Sequence, residues 1–94
     1  MARLSAGVLT DKSITTLSGA SQQLLPAANF NYILIENNGN ANVGINPTGG
    51  TAVIGGTGTL TITPNGSLEF ALWVPQRAFN VIGTSGQPLV CLVG

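Results

Sequence analysis

Glu36, Glu69 and Asp11 are the three carboxylate side chains of this sequence, which contains no histidine. Two carboxylates facing each other across adjacent strands are what glycoside hydrolysis requires. Glu36 and Glu69 each stand on a candidate strand, where a carboxylate turned to solvent or to an interface is the simpler reading. Without imidazole there is no Ser–His pair and no His-ligated metal. Cys91 is the single cysteine, so neither a disulfide nor a zinc site can be assembled within the chain. Calcium needs several clustered oxygens, and Asp11 has no acidic neighbour in sequence. The glycines between 49 and 58 lack the closing Gly-Lys-Ser/Thr of a phosphate loop. Asn65-Gly66-Ser67 fits a glycosylation acceptor but reads better as a turn. The expectation is a protein with no catalytic residues, no metal and no cofactor, and not an enzyme.

Two residues keep a functional reading. In "SLEFALWV" (67–74) strict alternation puts Leu68, Phe70, Leu72 and Val74 on one face and Trp73 on the other. Trp73 is then an exposed interface anchor or a sugar-stacking platform, with Arg77 flanking it beyond Pro75. A bulge before Pro75 gives the opposite outcome, a tryptophan turned into the core. Both readings stay open.

The elements that position these side chains are strands. No segment holds a helical apolar period, and short alternating or apolar runs recur between Gly, Pro and Asn. Candidate strands cover 14–17, 22–25, 32–37, 42–46, 51–54, 59–63, 67–73, 78–82 and 89–93. "YILIE" and "LVCLV" are apolar on both faces, so they belong at the centre of a sheet or under a cover. Asn-Gly in "ENNGNAN" and in "TPNGS" predicts two hairpins, the second a type I turn with Pro64 at its first corner and Gly66 closing a bulge. The glycine-rich stretch 46–58 reads as a long mobile connection around an edge strand at 51–54. The fold class is all-β: a single small β-sandwich, jelly-roll-like, of about eight short strands. It occupies 14–94 behind an N-terminal arm, 1–13, which carries Arg3, Lys12 and apolar Leu4, Val8 and Leu9.

Composition narrows the function. Charged residues make up 6% of the 94, with zero net charge, against about 25% in ordinary soluble domains. A freely diffusing monomer normally coats itself in mixed charge, so this surface suits a chain packed against neighbours. Three basic residues cannot neutralise a phosphate backbone, which argues against nucleic acid. No apolar run approaches the ~20 residues of a membrane span. The N-terminus has no apolar core like that of a secretion signal, so synthesis in a cytoplasm is expected.

Three stretches carry a family resemblance: "YILIENNGNANVGINPTGGTA" (32–52), "LTITPNGSLEF" (60–70) and "VPQRAFNVIGTSGQPLVCLVG" (74–94). A strand giving way to "NxG", a turn leading into "SLEF", and "IGTSGQ" before the last strand follow one another in this order. The pattern resembles small virion proteins of tailed bacteriophages, of the capsid decoration (cement) type. "ALW" at 71–73 departs from it, where more polar residues are usual, so the resemblance assigns no role to Trp73. It implies a β-sandwich on the head surface, made in the bacterial host cytoplasm, that bridges subunits of the major capsid protein. No active-site residues or cofactor come with it. Self-association, with a trimer favoured, follows from the low charge and two-sided apolar strands. Arg3, Leu4, Val8, Leu9, Lys12, Trp73 and Arg77 are the expected contact residues. A tail, neck or fibre subunit is the alternative. A carbohydrate-binding module is a more distant one, since Tyr32 is the only companion for Trp73.

Overall fold

The computed structural model describes residues 8–94. Within them lie eight strands: β1 (Thr10–Asp11), β2 (Gln22–Leu25), β3 (Ile33–Glu36), β4 (Val43–Asn46), β5 (Leu60–Ile62), β6 (Ser67–Phe70), β7 (Phe79–Ile82) and β8 (Val90–Val93). They form two four-stranded sheets, β1-β8-β3-β6 and β2-β7-β4-β5, and every pairing is antiparallel. The pairs β1–β8, β2–β7, β3–β6 and β4–β5 are nested about the middle of the chain. One long hairpin has thus curled on itself until β8 met β3 and β7 met β4. This is the jelly-roll order, and the chain changes sheet at every connection except β4–β5.

That winding explains where the apolar residues go. β8 and β3, the runs apolar on both faces, take the two central places of the first sheet. Ile33, Ile35, Cys91 and Val93 point inward to meet Val43, Ile45, Ile62, Phe79 and Val81 of the second sheet, all buried. In β2 the register slips between Gln23 and Leu25. The bulge lets the consecutive Leu24 and Leu25 both turn inward, which a regular strand forbids.

Several local expectations give way to this winding. Both Asn-Gly turns join strands of different sheets, β3 to β4 and β5 to β6, so they are corners and not hairpins. At 63–66 the Gly66 N–H donates to the Thr63 carbonyl at 2.8 Å, and Asn65 carries the positive φ, 66°. With Pro64 before it, that is a type II arrangement, not type I. Residues 14–17 make one bridge, Ile14 to Leu89, and no strand. Residues 51–54 form no strand either. The arm over 1–13 is not separate throughout, because Thr10–Asp11 pair with β8 and the Lys12 N–H donates to the Cys91 carbonyl at 2.7 Å.

The connection 47–59 is fastened, not loose. Asn46 and Asn80 are cross-strand partners whose side chains face away from the core. Asn46 donates to the Thr51 carbonyl at 3.0 Å and accepts from the Thr48 hydroxyl at 2.6 Å. Asn80 donates to the Gly50 carbonyl at 2.7 Å, and Ser21 accepts the Ala52 N–H at 2.9 Å. Gly44 lies beneath: a Cβ there would sit 2.8 Å from Thr59 Cγ2 and 3.3 Å from Ile54 Cγ1. The loop therefore roofs the outer face of the second sheet.

Candidate interaction surface

The jelly roll sorts its connections to two ends. The segments 26–32 and 71–78 and both attachments of 47–59, with the start of β1 and the end of β8, lie at one end. The segments 12–21, 37–42, 63–66 and 83–89 lie at the other.

Trp73 belongs to the first end. β6 stops at Phe70 because the chain must pass to the second sheet there. Phe70 and Phe79 close that crossing edge-to-face, with ring centroids 5.6 Å apart at 89°. Val74 packs against the core between them. The period of two ends with the strand, so Leu72, expected inside, is 96% exposed, and Trp73 is 74% exposed. The core reading of Trp73 is thereby set aside. Trp73, Pro75, Gln76 and Arg77 line a shallow groove of about 600 Å³ with Pro47 and Thr48 of the β4–β5 connection. The stem of Arg77 runs beside Gly49, 3.8 Å from where a Cβ would stand. The groove holds one cation and an indole N–H among prolines, and no acid or base to move a proton.

The other exposed large hydrophobic residues divide between this end and the roof of the second sheet. Val8 and Leu9 precede β1 beside Gly94, Val53 and Ile54 belong to the β4–β5 connection, and Leu60 opens β5. Ile54 lies over Gly44 and Ala52 bonds to Ser21 toward the opposite end, so of the exposed large apolar side chains Val8, Leu9, Leu60, Leu72 and Trp73 are at this end. Of the expected contact residues, the fold brings Val8, Leu9, Trp73 and Arg77 to it, with Val8 and Leu9 on the β1 side and Trp73 on the β6 side. Lys12 lies apart, alongside the middle of β8. Arg3 and Leu4 fall outside the described residues.

The opposite end is built from amides. Asn37 is fully buried and uses its whole side chain. It donates to the Ala41 carbonyl at 2.8 Å and to the Ile62 carbonyl at 2.9 Å, and accepts from the Gly39 N–H at 3.0 Å and Gln87 Nε2 at 2.9 Å. Gln87 Nε2 also donates to the Ala41 carbonyl at 2.7 Å. These bonds tie the end of β3 in one sheet to the end of β5 in the other, across the corners that Asn-Gly forms. The sequence marked both segments as turns. Nothing in spacing alone reveals that residues 37 and 87 meet.

Glu36 and Glu69 do stand on adjacent strands, one register step apart on the diagonal and both on the outer face of the first sheet. The Tyr32 hydroxyl donates to Glu69 at 2.6 Å, and that bond holds the phenol above its usual pKa. Tyr32 is not in the Trp73 groove, so the groove has no second aromatic. The Ser13 hydroxyl and N–H, the latter at 2.9 Å, hold the Asp11 carboxyl below its ordinary range. Burial, with nearby Asp11 adding to it, pushes the Cys91 thiol up to about 11, a value at odds with a nucleophile. Among the described residues no three His, Cys, Asp or Glu side chains group as metal ligands would, and no helix is long and apolar enough to cross a membrane. Comparisons of the chain with family models, with curated proteins and with solved structures find no match.

Proposed function

We propose that the chain is a bacteriophage virion structural protein, a capsid decoration or cement protein that binds the assembled head and bridges subunits of the major capsid protein. The observation that carries this reading is the exposure of Leu72 and Trp73, with Val8 and Leu9, at one end of a jelly roll that has almost no charge. A solitary domain gains nothing from exposing Leu72 and Trp73 together, whereas a docked one removes them from water at roughly 25 cal/mol per Å². Jelly rolls recur in capsid and lectin domains, which supports the reading by analogy of fold alone.

In this role the protein has no catalytic site and no cofactor, and binds neither nucleic acid nor membrane. It acts as a homo-oligomer, with a trimer favoured, so that weak contacts add up by avidity on a repeating shell. Val8, Leu9, Trp73 and Arg77, together with Arg3, Leu4 and Lys12 of the N-terminal segment, supply contacts to the capsid or between copies. Each bound copy adds interactions that must break before the shell opens.

Stripping the protein from virions and adding it back tests the proposal. Wild-type protein should rebind and raise the temperature at which DNA is released. Stripped particles as heat-resistant as intact ones would overturn the cement role. Recovery of the protein only with tails would put a tail, neck or fibre subunit in its place.

A further inference from the structure

The two outer faces of the sandwich are unlike. The second sheet's is roofed by 47–59, whereas in the first sheet Leu34, Val90 and Leu92 are half-buried on a face that none of these loop contacts reach. Register places Asp11, Leu92, Leu34 and Glu69 in one row across its four strands, and Val90, Glu36 and Ser67 in the next. The row spans three strand spacings, about 14 Å. All three carboxylates of the chain therefore stand on one face, around an apolar strip. Lys12 follows Asp11 at the β1 edge, so the negative charge without a neighbouring cation in sequence is at Glu36 and Glu69, on β3 and β6.

The 71–78 end has the complementary character: two exposed apolar side chains, Leu72 and Trp73, and the cation Arg77. We propose that this end of one copy docks on the outer face of the first sheet of a second copy, the apolar pair over Leu34 and Leu92 and Arg77 toward Glu36 and Glu69. Two faces meeting each other would oppose carboxylate to carboxylate, and two ends meeting would oppose Arg77 to Arg77. Only the unlike pairing matches charge. Such a contact is heterologous: each copy offers one end and one face, so copies join head to face and close into a ring where the rotation permits. The inference rests on the self-association proposed above and adds its geometry.

Sedimentation of two variants, alone and mixed at low salt, is the test. One variant has a damaged end (Trp73→Ala with Arg77→Ala), the other a damaged face (Glu36→Lys with Glu69→Lys). Trp73→Ala by itself should weaken association about 30-fold, the loss expected at a hot spot. Each double variant alone should sediment as a 9.5 kDa monomer. Their equimolar mixture should form a one-to-one dimer and nothing larger, because one intact end meets one intact face. High salt should dissociate it. Circular dichroism checks that both variants are folded, with Glu→Gln replacing Glu→Lys if the latter is not. A wild-type oligomer whose variants fail to complement each other overturns the head-to-face contact but leaves self-association standing. A wild-type protein monomeric at every concentration overturns both.

Discussion

The two ends of this sandwich use opposite chemistry. At the 37–42 and 83–89 end, buried amides answer one another, and Asn37 alone makes four hydrogen bonds, two within its own turn, one to Gln87 and one across to Ile62 of the other sheet. At the 71–78 end, Phe70 and Phe79 seal the core, and the chain outside that seal shows Leu72 and Trp73 to solvent. A domain this small has few residues to spare for both tasks. Directional bonds fix the corners where the sheets must stay joined, and apolar area is left where a neighbour can cover it. The first end should govern stability, and the second should govern association.

Asn37→Ala gives the largest expected effect. It takes the side-chain partner from the Ile62 carbonyl and the Gly39 N–H and one bond each from the Ala41 carbonyl and the Gln87 amide, which keep each other, at about 3–5 kcal/mol in denaturant unfolding. Gly39→Ala should follow at about 2–3 kcal/mol, because a Cβ there would fall 2.3 Å from Gln87 Cγ, on a side chain held by its own hydrogen bonds. If either variant unfolds like wild type, the amide end is not what joins the sheets.

Between the ends lies Cys91, whose thiol is held near 11 in the folded protein against an ordinary 9.0. Below the ordinary value both folded and unfolded chains keep the proton, and the thiol adds no pH dependence. Between roughly pH 9 and 11 the unfolded chain loses it first, so stability should fall by about 2–3 kcal/mol. Tyr32 shifts in the same direction, so the Cys91 contribution is the difference from Cys91→Ala. A Cys91→Ala variant with the same alkaline loss would show that the thiol is not shielded. The smallest effect is assigned to Trp73→Ala, within about 0.5 kcal/mol of wild type in unfolding. A loss of several kcal/mol would make Trp73 part of the core and erase the contrast between the ends.

Much of this was legible in the chain, and the failures share one cause. The strands β2, β3, β4, β7 and β8 follow from apolar and alternating runs, and the two-sided apolar pattern of β3 and β8 announces central places. What could not be read is which strand pairs with which. Asn38-Gly39 and Asn65-Gly66 carry turn chemistry that suits a hairpin or a corner equally, and only the pairing of β3 with β6 and β8 decides. Alternation through Leu72 looked continuous because the crossing after Phe70 depends on Phe79, nine residues on. Asn46 and Asn80 look like ordinary strand polar residues until the register sets them side by side beneath the 47–59 loop. For the candidate surface, the residue types were visible at Trp73 and Arg77. Their company with Val8 and Leu9 at one end was not, because those segments are far apart in sequence.

A reconstruction of the intact virion by electron cryo-microscopy tests the central claim most directly. It should place the jelly roll on the outer surface of the head, with the 71–78 end and Trp73 buried in a contact and the 37–42 and 83–89 end free. Density for the chain only on the tail, or on the head with Trp73 turned to solvent, would contradict it.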